Sequence, residues 1–196
     1  MKMVLATHNL NKAGEMLRIL AGLDIEFIAL PDFAGAPDVE EDGSTLEENA
    51  VKKANSAAMF TGLPALADDT GLEVDALGGA PGVFSARYAG PGCSYGENNK
   101  KLLSALAGLP SAKRSARFRC VMALVYPGGK LLTAQGQLEG FITLQVMGKG
   151  GFGYDPIFEV KGLGKTLAEL APEEKNIISH RAAALRAMLE LLKSGQ

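Results

Sequence analysis

The most informative segment of the chain is Pro64-Ala65-Leu66-Ala67-Asp68-Asp69-Thr70-Gly71-Leu72-Glu73-Val74-Asp75. Residues 64–67 predict a short buried strand, and residues 71–74 predict a second short extended segment. Asp68 and Asp69 would therefore lie at a strand end, where α/β sheets form ligand crevices. Adjacent carboxylates repel each other and are costly to bury unless a cation neutralises them. Carboxylates without a His or Cys cluster favour Mg²⁺ or Mn²⁺ over zinc, although an acidic surface turn would also fit the sequence.

The composition limits the class of protein. With 196 residues the chain is long enough for a sizeable core, and we expect one domain over residues 1–196. The 20 Lys and Arg against 22 Asp and Glu give a net charge of −2, which argues against a nucleic-acid-coating protein. No apolar run approaches the roughly 18–20 residues of a membrane span, and the N-terminus does not resemble a signal peptide. Cys93 and Cys120 are too few for a disulfide framework, so we expect a cytoplasmic protein with no membrane partner.

A second feature follows the first predicted strand, residues 2–6. The segment Thr7-His8-Asn9-Leu10-Asn11-Lys12 leads into a helix that Asn9 or Asn11 can cap. Backbone N–H groups at the positive end of a helix dipole bind anions, and Lys12 would add a full charge. The spacing is not that of a Walker A loop, and an ordinary capped helix with a surface lysine is the alternative.

An acidic run, Asp38 to Asp42, precedes the second predicted helix. It is either a solvated loop or the source of one further metal ligand. A capping box within residues 44–48 begins the helix, and Gly62 ends it. Lys52 and Lys53 on this helix are expected to face solvent unless one of them turns inward to a phosphate.

The second half of the chain completes a mixed sheet. Ser94 is the expected cap of a helix over residues 95–107. Strands over residues 115–126 and 131–139 are expected to form an antiparallel hairpin. A combination of β-α units with a hairpin indicates an α/β fold with a mixed central sheet flanked by helices.

The most glycine-rich segment is Gly148-Lys149-Gly150-Gly151-Phe152-Gly153-Tyr154-Asp155-Pro156. So many glycines are incompatible with a helix or a flat strand. A flexible loop is one interpretation. The embedded aromatics favour a pocket wall, in which Phe152 and Tyr154 stack on a planar base.

His180 and Arg181 follow Ser179, the expected cap of the last helix, residues 181–193. Cations are unfavourable at a helix N-terminus. Two donors there are understandable if an acceptor such as a purine carbonyl or a phosphate lies between them, and a simple surface placement is the alternative. Together these motifs predict a metal-assisted hydrolase that cleaves a phosphate ester or phosphoanhydride of a nucleotide.

The motifs resemble the inosine triphosphate pyrophosphatase family, which removes dITP, XTP and other non-standard purine triphosphates. The resemblance covers essentially the whole chain. It rests on four motifs in the same order: residues 7–12; residues 67–72 with 80–82 and 85–88; residues 152–156; and residues 179–181. Ala182 and His8 stand where many members have Gly, and neither replaces a side chain expected to do chemistry.

The resemblance implies an ITPase-like fold of two lobes with a nucleotide cleft between them, a homodimer and dependence on Mg²⁺. It also implies cleavage of the α–β phosphoanhydride of ITP, dITP or XTP to a nucleoside monophosphate and pyrophosphate. Asp69 would be the proton acceptor and a metal ligand, and Glu40 a second metal ligand. The remaining implied positions bind the purine nucleoside triphosphate: Thr7, His8, Asn9, Leu10, Asn11, Lys12, Lys53, Thr70, Phe152, Gly153, Tyr154, Asp155, Lys175, His180 and Arg181.

The base-selective step and two alternatives stay open at this point. Donors from His180 and Arg181 would pair with the C6 carbonyl of hypoxanthine or xanthine and would meet only donors on adenine. A Maf-type pyrophosphatase for pyrimidine or modified nucleotides would lack the motifs at residues 152–155 and 179–181. A non-catalytic nucleotide-binding protein would bind without releasing pyrophosphate when Mg²⁺ is present.

Overall fold

A computed structural model describes residues 1–194, which form a seven-stranded mixed sheet with helices. The strands are β1 (Lys2–Leu5), β2 (Glu26–Ala29), β3 (Ala65–Val74), β4 (Pro81–Gly82), β5 (Ser115–Val125), β6 (Leu131–Ile142) and β7 (Phe158–Val160). The helices are α1 (Leu10–Ile19), α2 (Leu46–Thr61), α3 (Tyr95–Ala105), α4 (Pro172–Ile178) and α5 (His180–Ser194). The strand order is β2-β1-β3-β5-β6-β7, with β4 paired to β3. Within residues 1–194, no helix has the length and apolar character needed to cross a membrane.

The chain divides into two compact units. The first contains Met1–Asp69, Cys120–Gly136 and the chain from Arg181 onward, and the second contains Thr70–Arg119 and Gln137–His180. The boundaries fall inside β3, β5 and β6, so each of these strands begins in one unit and ends in the other. A single domain over residues 1–196 and a cleft between two lobes stay predictions.

The first unit is built on parallel strands. β1 pairs with β2 through Leu5 and Ala29, and with β3 through Leu5 and Leu66. Helices α1 and α5 contribute Met16 and Leu185 to the core beside these strands. Burial of such apolar side chains is the main favourable term in folding, at about 25 cal/mol per Å².

The second unit is built on antiparallel pairs. Leu72 of β3 pairs with Gly82 of β4, and Phe141 of β6 pairs with Glu159 of β7. Its core includes residues from β3, β5, β6, β7 and α3, namely Leu72, Val74, Leu102, Phe118, Ile142 and Phe158. In β5 the partly buried Arg117 and the buried Phe118 alternate.

The acidic pair lies inside a strand, which differs from the sequence prediction. β3 runs without interruption from Ala65 to Val74, so the prediction of two short extended segments was wrong. Asp68 and Asp69 are both buried within it. Nearby cations compensate their charges, and the strand therefore continues through them. The pair still lies beyond the carboxyl end of β1, because β1 ends at Leu5, opposite Leu66.

The predicted caps of the first three helices are confirmed, whereas Ser179 as the cap of α5 stays a prediction. Asn9, Thr45 and Ser94 cap α1, α2 and α3, and each side-chain oxygen accepts a hydrogen bond from a first-turn backbone amide. Gly62 ends α2 in the left-handed conformation, with φ of 68°. Each polar cap contributes about 1 kcal/mol relative to alanine, so these local signals fix the helix boundaries.

Candidate active site

Asp68 is the centre of a buried charge network in the first unit. Its Oδ2 lies 3.2 Å from Nζ of Lys12 and 3.1 Å from Nη2 of Arg181. The Arg181 guanidinium also donates to Glu15. Burial by itself would raise the pKa of Asp68, but Lys12, Arg181 and Lys53 outweigh it and hold that pKa well below its usual range. Asp68 therefore stays ionised although its side chain is inaccessible to solvent.

Asp69 has a different environment. Its Oδ2 accepts a hydrogen bond of 3.0 Å from Nδ2 of Asn49, and its Oδ1 lies 3.4 Å from Nζ of Lys53. Lys53 also contacts Glu41. Burial raises the pKa of the Asp69 carboxyl above its ordinary value, although Lys53 acts in the opposite direction. A positioned carboxylate with increased proton affinity is chemically suited to accept a proton.

The predicted phosphate segment, residues 7–12, is organised by its own side chains. The Asn9 amide donates to Oγ1 of Thr7 at 3.1 Å, and Asn9 Oδ1 accepts from the amides of residues 11 and 12. His8 and Leu10 are exposed. Two amides that we expected to face a phosphate therefore already donate to the Asn9 cap, and the lysine ammonium is the main positive charge of this segment.

Glu40, the predicted second metal ligand, precedes α2. Its side chain is exposed, and its backbone oxygen accepts a 2.9 Å hydrogen bond from Lys52. The contact between Lys53 and Glu41 also ties this segment to α2. Residues 1–194 contain no ready-made group of three or more His, Cys, Asp or Glu that could hold a metal ion. The carboxylate oxygens of Asp69 and Glu40 are nevertheless hard donors of the kind that Mg²⁺ prefers, so the donor chemistry fits this ion.

The glycine-rich loop in the second unit is fixed by Asp155. Its Oδ2 accepts hydrogen bonds from the Phe152 amide at 2.8 Å and from Nζ of Lys175 at 2.5 Å. The same ammonium lies 4.7 Å from the centroid of the Phe152 ring. One buried carboxylate therefore fixes both the backbone of the loop and the cation over its aromatic ring.

The glycines of this loop are required by its shape. Gly148 and Gly151 have φ of 83° and 68°, a region that L side chains rarely adopt. A Cβ on Gly148 would lie 2.6 Å from the carbonyl carbon of Ala168, and one on Gly151 would lie 2.8 Å from Cγ of Asp155. The loop is therefore closely packed at these two glycines, and its role as a pocket wall stays a prediction.

Tyr154 is part of the core of the second unit. Its ring is 5% exposed, and its hydroxyl donates a 2.8 Å hydrogen bond to the Ser85 carbonyl. Burial raises the pKa of this hydroxyl, which stays protonated. The expectation that the Tyr154 ring stacks on a base is therefore corrected, and stacking by Phe152 stays a prediction. Asn99 supports the same loop with a 3.0 Å hydrogen bond to the Gly153 carbonyl.

His180 and Arg181 are both buried, so their placement on the surface is excluded. The His180 ring stacks on Phe118, with centroids 4.6 Å apart and planes 13° apart. Asp68 and Glu15 explain why a cation occupies the start of α5. Charge-assisted hydrogen bonds to two carboxylates outweigh the unfavourable helix dipole.

The structure places the predicted site residues in two sets. The first unit contains residues 7–12, Glu40, Lys53, Asp69 and Arg181, and the second contains Thr70, residues 152–155, Lys175 and His180. Sequence reasoning missed several residues that support these side chains: Glu15, Asn49, Ser85, Tyr95, Asn99 and Phe118. Of these residues, only Asn49 could have been identified from the sequence, because it lies four residues before Lys53 and therefore on the same face of α2.

A sequence model of the Ham1 family matches residues 3–191. The chain belongs to the Ham1 family. Two relatives named dITP/XTP pyrophosphatase, from Geobacter sulfurreducens and Desulforamulus reducens, are 53% and 52% identical to it. These matches cover 97% and 98% of this chain, and 96% of each relative.

The solved structure of a HAM1 protein from Coxiella burnetii is 48% identical to this chain. It superposes with a TM-score of 0.89 and covers 99% of both chains. The family resemblance and the predicted mixed α/β class are therefore confirmed for this Ham1 protein.

Proposed function

We propose that this Ham1 protein is a nucleoside triphosphate pyrophosphatase that hydrolyses dITP, XTP and ITP. The reaction breaks the α–β phosphoanhydride with water and gives a nucleoside monophosphate and pyrophosphate. The observation that carries the proposal is the Asp69 carboxylate, which is buried between Asn49 and Lys53. The relatives named dITP/XTP pyrophosphatase support the substrate class.

Asp69 is the proposed proton acceptor for the attacking water. Burial raises its proton affinity, and the Asn49 hydrogen bond fixes the orientation of the carboxylate. The cations of the first unit, Lys12 and Lys53, offset the negative charge of the triphosphate and of the departing pyrophosphate. Lys53 also limits the rise in the pKa of Asp69, which keeps the carboxylate available as a base.

Mg²⁺ is part of the proposal, with Asp69 and Glu40 as the residues that would hold it. When bound, such an ion offsets phosphate charge and lowers the pKa of water. The Lys52 and Lys53 contacts hold the segment that carries Glu40 against α2.

We assign recognition of the base to Phe152, His180 and Arg181. Phe152 stacks on the purine, and His180, held flat against Phe118, faces its edge as a donor. Asp68 and Glu15 fix the Arg181 guanidinium, so any N–H that it presents to a purine carbonyl has a defined direction. Adenine carries an amino group at the same position, which creates a donor–donor mismatch. Within this proposal the protein acts as a cytoplasmic homodimer.

The test is a substrate panel with product identification. The purified protein receives dITP, XTP, ITP, ATP, GTP and pyrimidine triphosphates, with Mg²⁺ or with EDTA. We expect pyrophosphate and the monophosphate from dITP, XTP and ITP only when Mg²⁺ is present. Orthophosphate as the product, a preference for pyrimidines, or binding without cleavage would each contradict the proposal. Light scattering on the same samples measures the oligomeric state.

A further inference from the structure

Tyr95, at the start of α3, contacts the glycine-rich loop of the second unit. Its ring centroid lies 6.1 Å from that of Phe152, and the two planes are tilted by 42°. The Tyr95 side chain is 43% exposed, so its ring is only partly covered by the protein. A tilted aromatic pair at this distance contributes beyond simple apolar burial.

Asn99 anchors α3 to the same loop. Its Nδ2 donates to the Gly153 carbonyl at 3.0 Å, and the residue is 6% exposed. Residues four positions apart lie on one face of a helix. Tyr95 and Asn99 therefore form one face of α3 that contacts two consecutive residues of the loop.

The remaining contacts of Phe152 limit where a base can stack. Its amide donates to Asp155, and the Lys175 ammonium lies over the ring, 4.7 Å from the centroid. The Asp155 carboxylate and the attraction to the π-electrons together hold this cation over one face of the ring, so that face is occupied. A purine must then stack on the opposite face of the Phe152 ring. The tilt of that ring determines how nearly parallel to it the purine can lie.

We propose that Tyr95 is a positioning residue that sets the tilt of Phe152 for stacking on the purine of the substrate. The inference rests on the proposed function, because it requires a nucleotide base on Phe152. Tyr95 acts through Phe152 and does not take part in the phosphate chemistry. Its loss therefore weakens nucleotide binding and leaves the chemical step unchanged.

The experiment compares Tyr95→Ala, Tyr95→Leu and Tyr95→Phe in steady-state hydrolysis of ITP with Mg²⁺. The loss of an aromatic pair predicts an increase in KM of about 2- to 12-fold for the Ala and Leu variants, with kcat unchanged. Tyr95→Phe keeps the ring and should stay within about twofold of the parent KM. Inhibition by inorganic pyrophosphate, which has no base, should be equal in all variants.

The matched control is Phe60→Ala on α2, because Phe60 is 45% exposed and lies in the first unit. It should leave KM and kcat unchanged. An unchanged KM in Tyr95→Ala, an equal effect of the Ala and Phe variants, a fall in kcat at constant KM, or a weaker pyrophosphate inhibition would overturn the inference. A parent protein that releases no pyrophosphate from ITP would instead overturn the proposed function.

Discussion

Replacement of Arg181 by Met tests whether the buried charge network determines the stability of the first unit. The Arg181 side chain is 2% exposed and lies between the carboxylates of Asp68 and Glu15, which are 0% and 8% exposed. Methionine keeps most of the side-chain volume but removes the cation. Removing one partner of a buried ion pair costs about 3–5 kcal/mol, because the remaining charges lose their compensation.

The expected loss in the free energy of unfolding can be converted to a shift in melting temperature, Tm. For a chain of this length, 1 kcal/mol corresponds to about 2–4 °C, so we expect Arg181→Met to lower Tm by roughly 6–20 °C. Urea unfolding at neutral pH measures the free energy directly. The control is Arg186→Met, because Arg186 is an exposed arginine on the same helix, and its loss should change stability by less than about 0.5 kcal/mol.

A double-mutant cycle separates the charge interaction from packing. Glu15→Gln removes one of the two carboxylates that contact Arg181. The double variant should be more stable than the sum of the single effects predicts, with a coupling energy of about 1–3 kcal/mol. Additive effects within about 0.5 kcal/mol, or an Arg181→Met variant as stable as the Arg186→Met control, would refute the reasoning.

The remaining predictions concern catalysis, acid stability and the glycine-rich loop. Asp69→Asn should lower kcat for ITP by about 10²–10⁴-fold while circular dichroism shows a folded protein, and near-parental turnover would exclude Asp69 as the base. Lys53→Met should lower kcat/KM for ITP at least about tenfold, whereas Lys193→Met should not, because Lys193 pairs with Glu190 at the surface of α5; equal kinetics of the two variants would contradict this. Because the pKa of Asp68 is lower in the folded than in the unfolded state, its ionised form stabilises the fold above about pH 4. That contribution starts to diminish as the pH falls below the unfolded-state value and is lost only near the much lower folded-state pKa, so the difference between the urea midpoints of parent and Asp68→Asn should begin to narrow below about pH 4. Gly151→Ala should destabilise the protein more than Gly162→Ala. Both glycines have positive φ, but of these two only Gly151 has a neighbouring side chain, that of Asp155, which an added Cβ would meet. Equal losses of Tm in thermal denaturation would exclude the Asp155 contact as the cause.

The sequence predicted features that depend on local interactions. The caps at Asn9 and Ser94 were predictable because the side chain and the amides that it accepts from are within three residues of each other. The positive φ of Gly62 was predictable from its place after a helix.

Features that depend on distant partners were not predictable in the same way. The continuity of β3 through Asp68 depends on Lys12 and Arg181, which are 56 and 113 residues away in sequence. The motif at residues 152–156 gave no indication that the Tyr154 ring points into the core toward Ser85. For the same reason Lys52 and Lys53 could not be distinguished by local sequence, although only Lys53 contacts Asp69.

The two cations that contact Asp68 differ in their access to water. The Lys12 side chain is 16% exposed, whereas that of Arg181 is 2% exposed. An incoming phosphate can therefore draw the lysine away, while the guanidinium stays in place as a permanent counter-ion. Recruitment of Lys12 to a ligand then does not force Asp68 to take up a proton, and the enzyme can bind and release its substrate without a protonation cycle at that carboxylate.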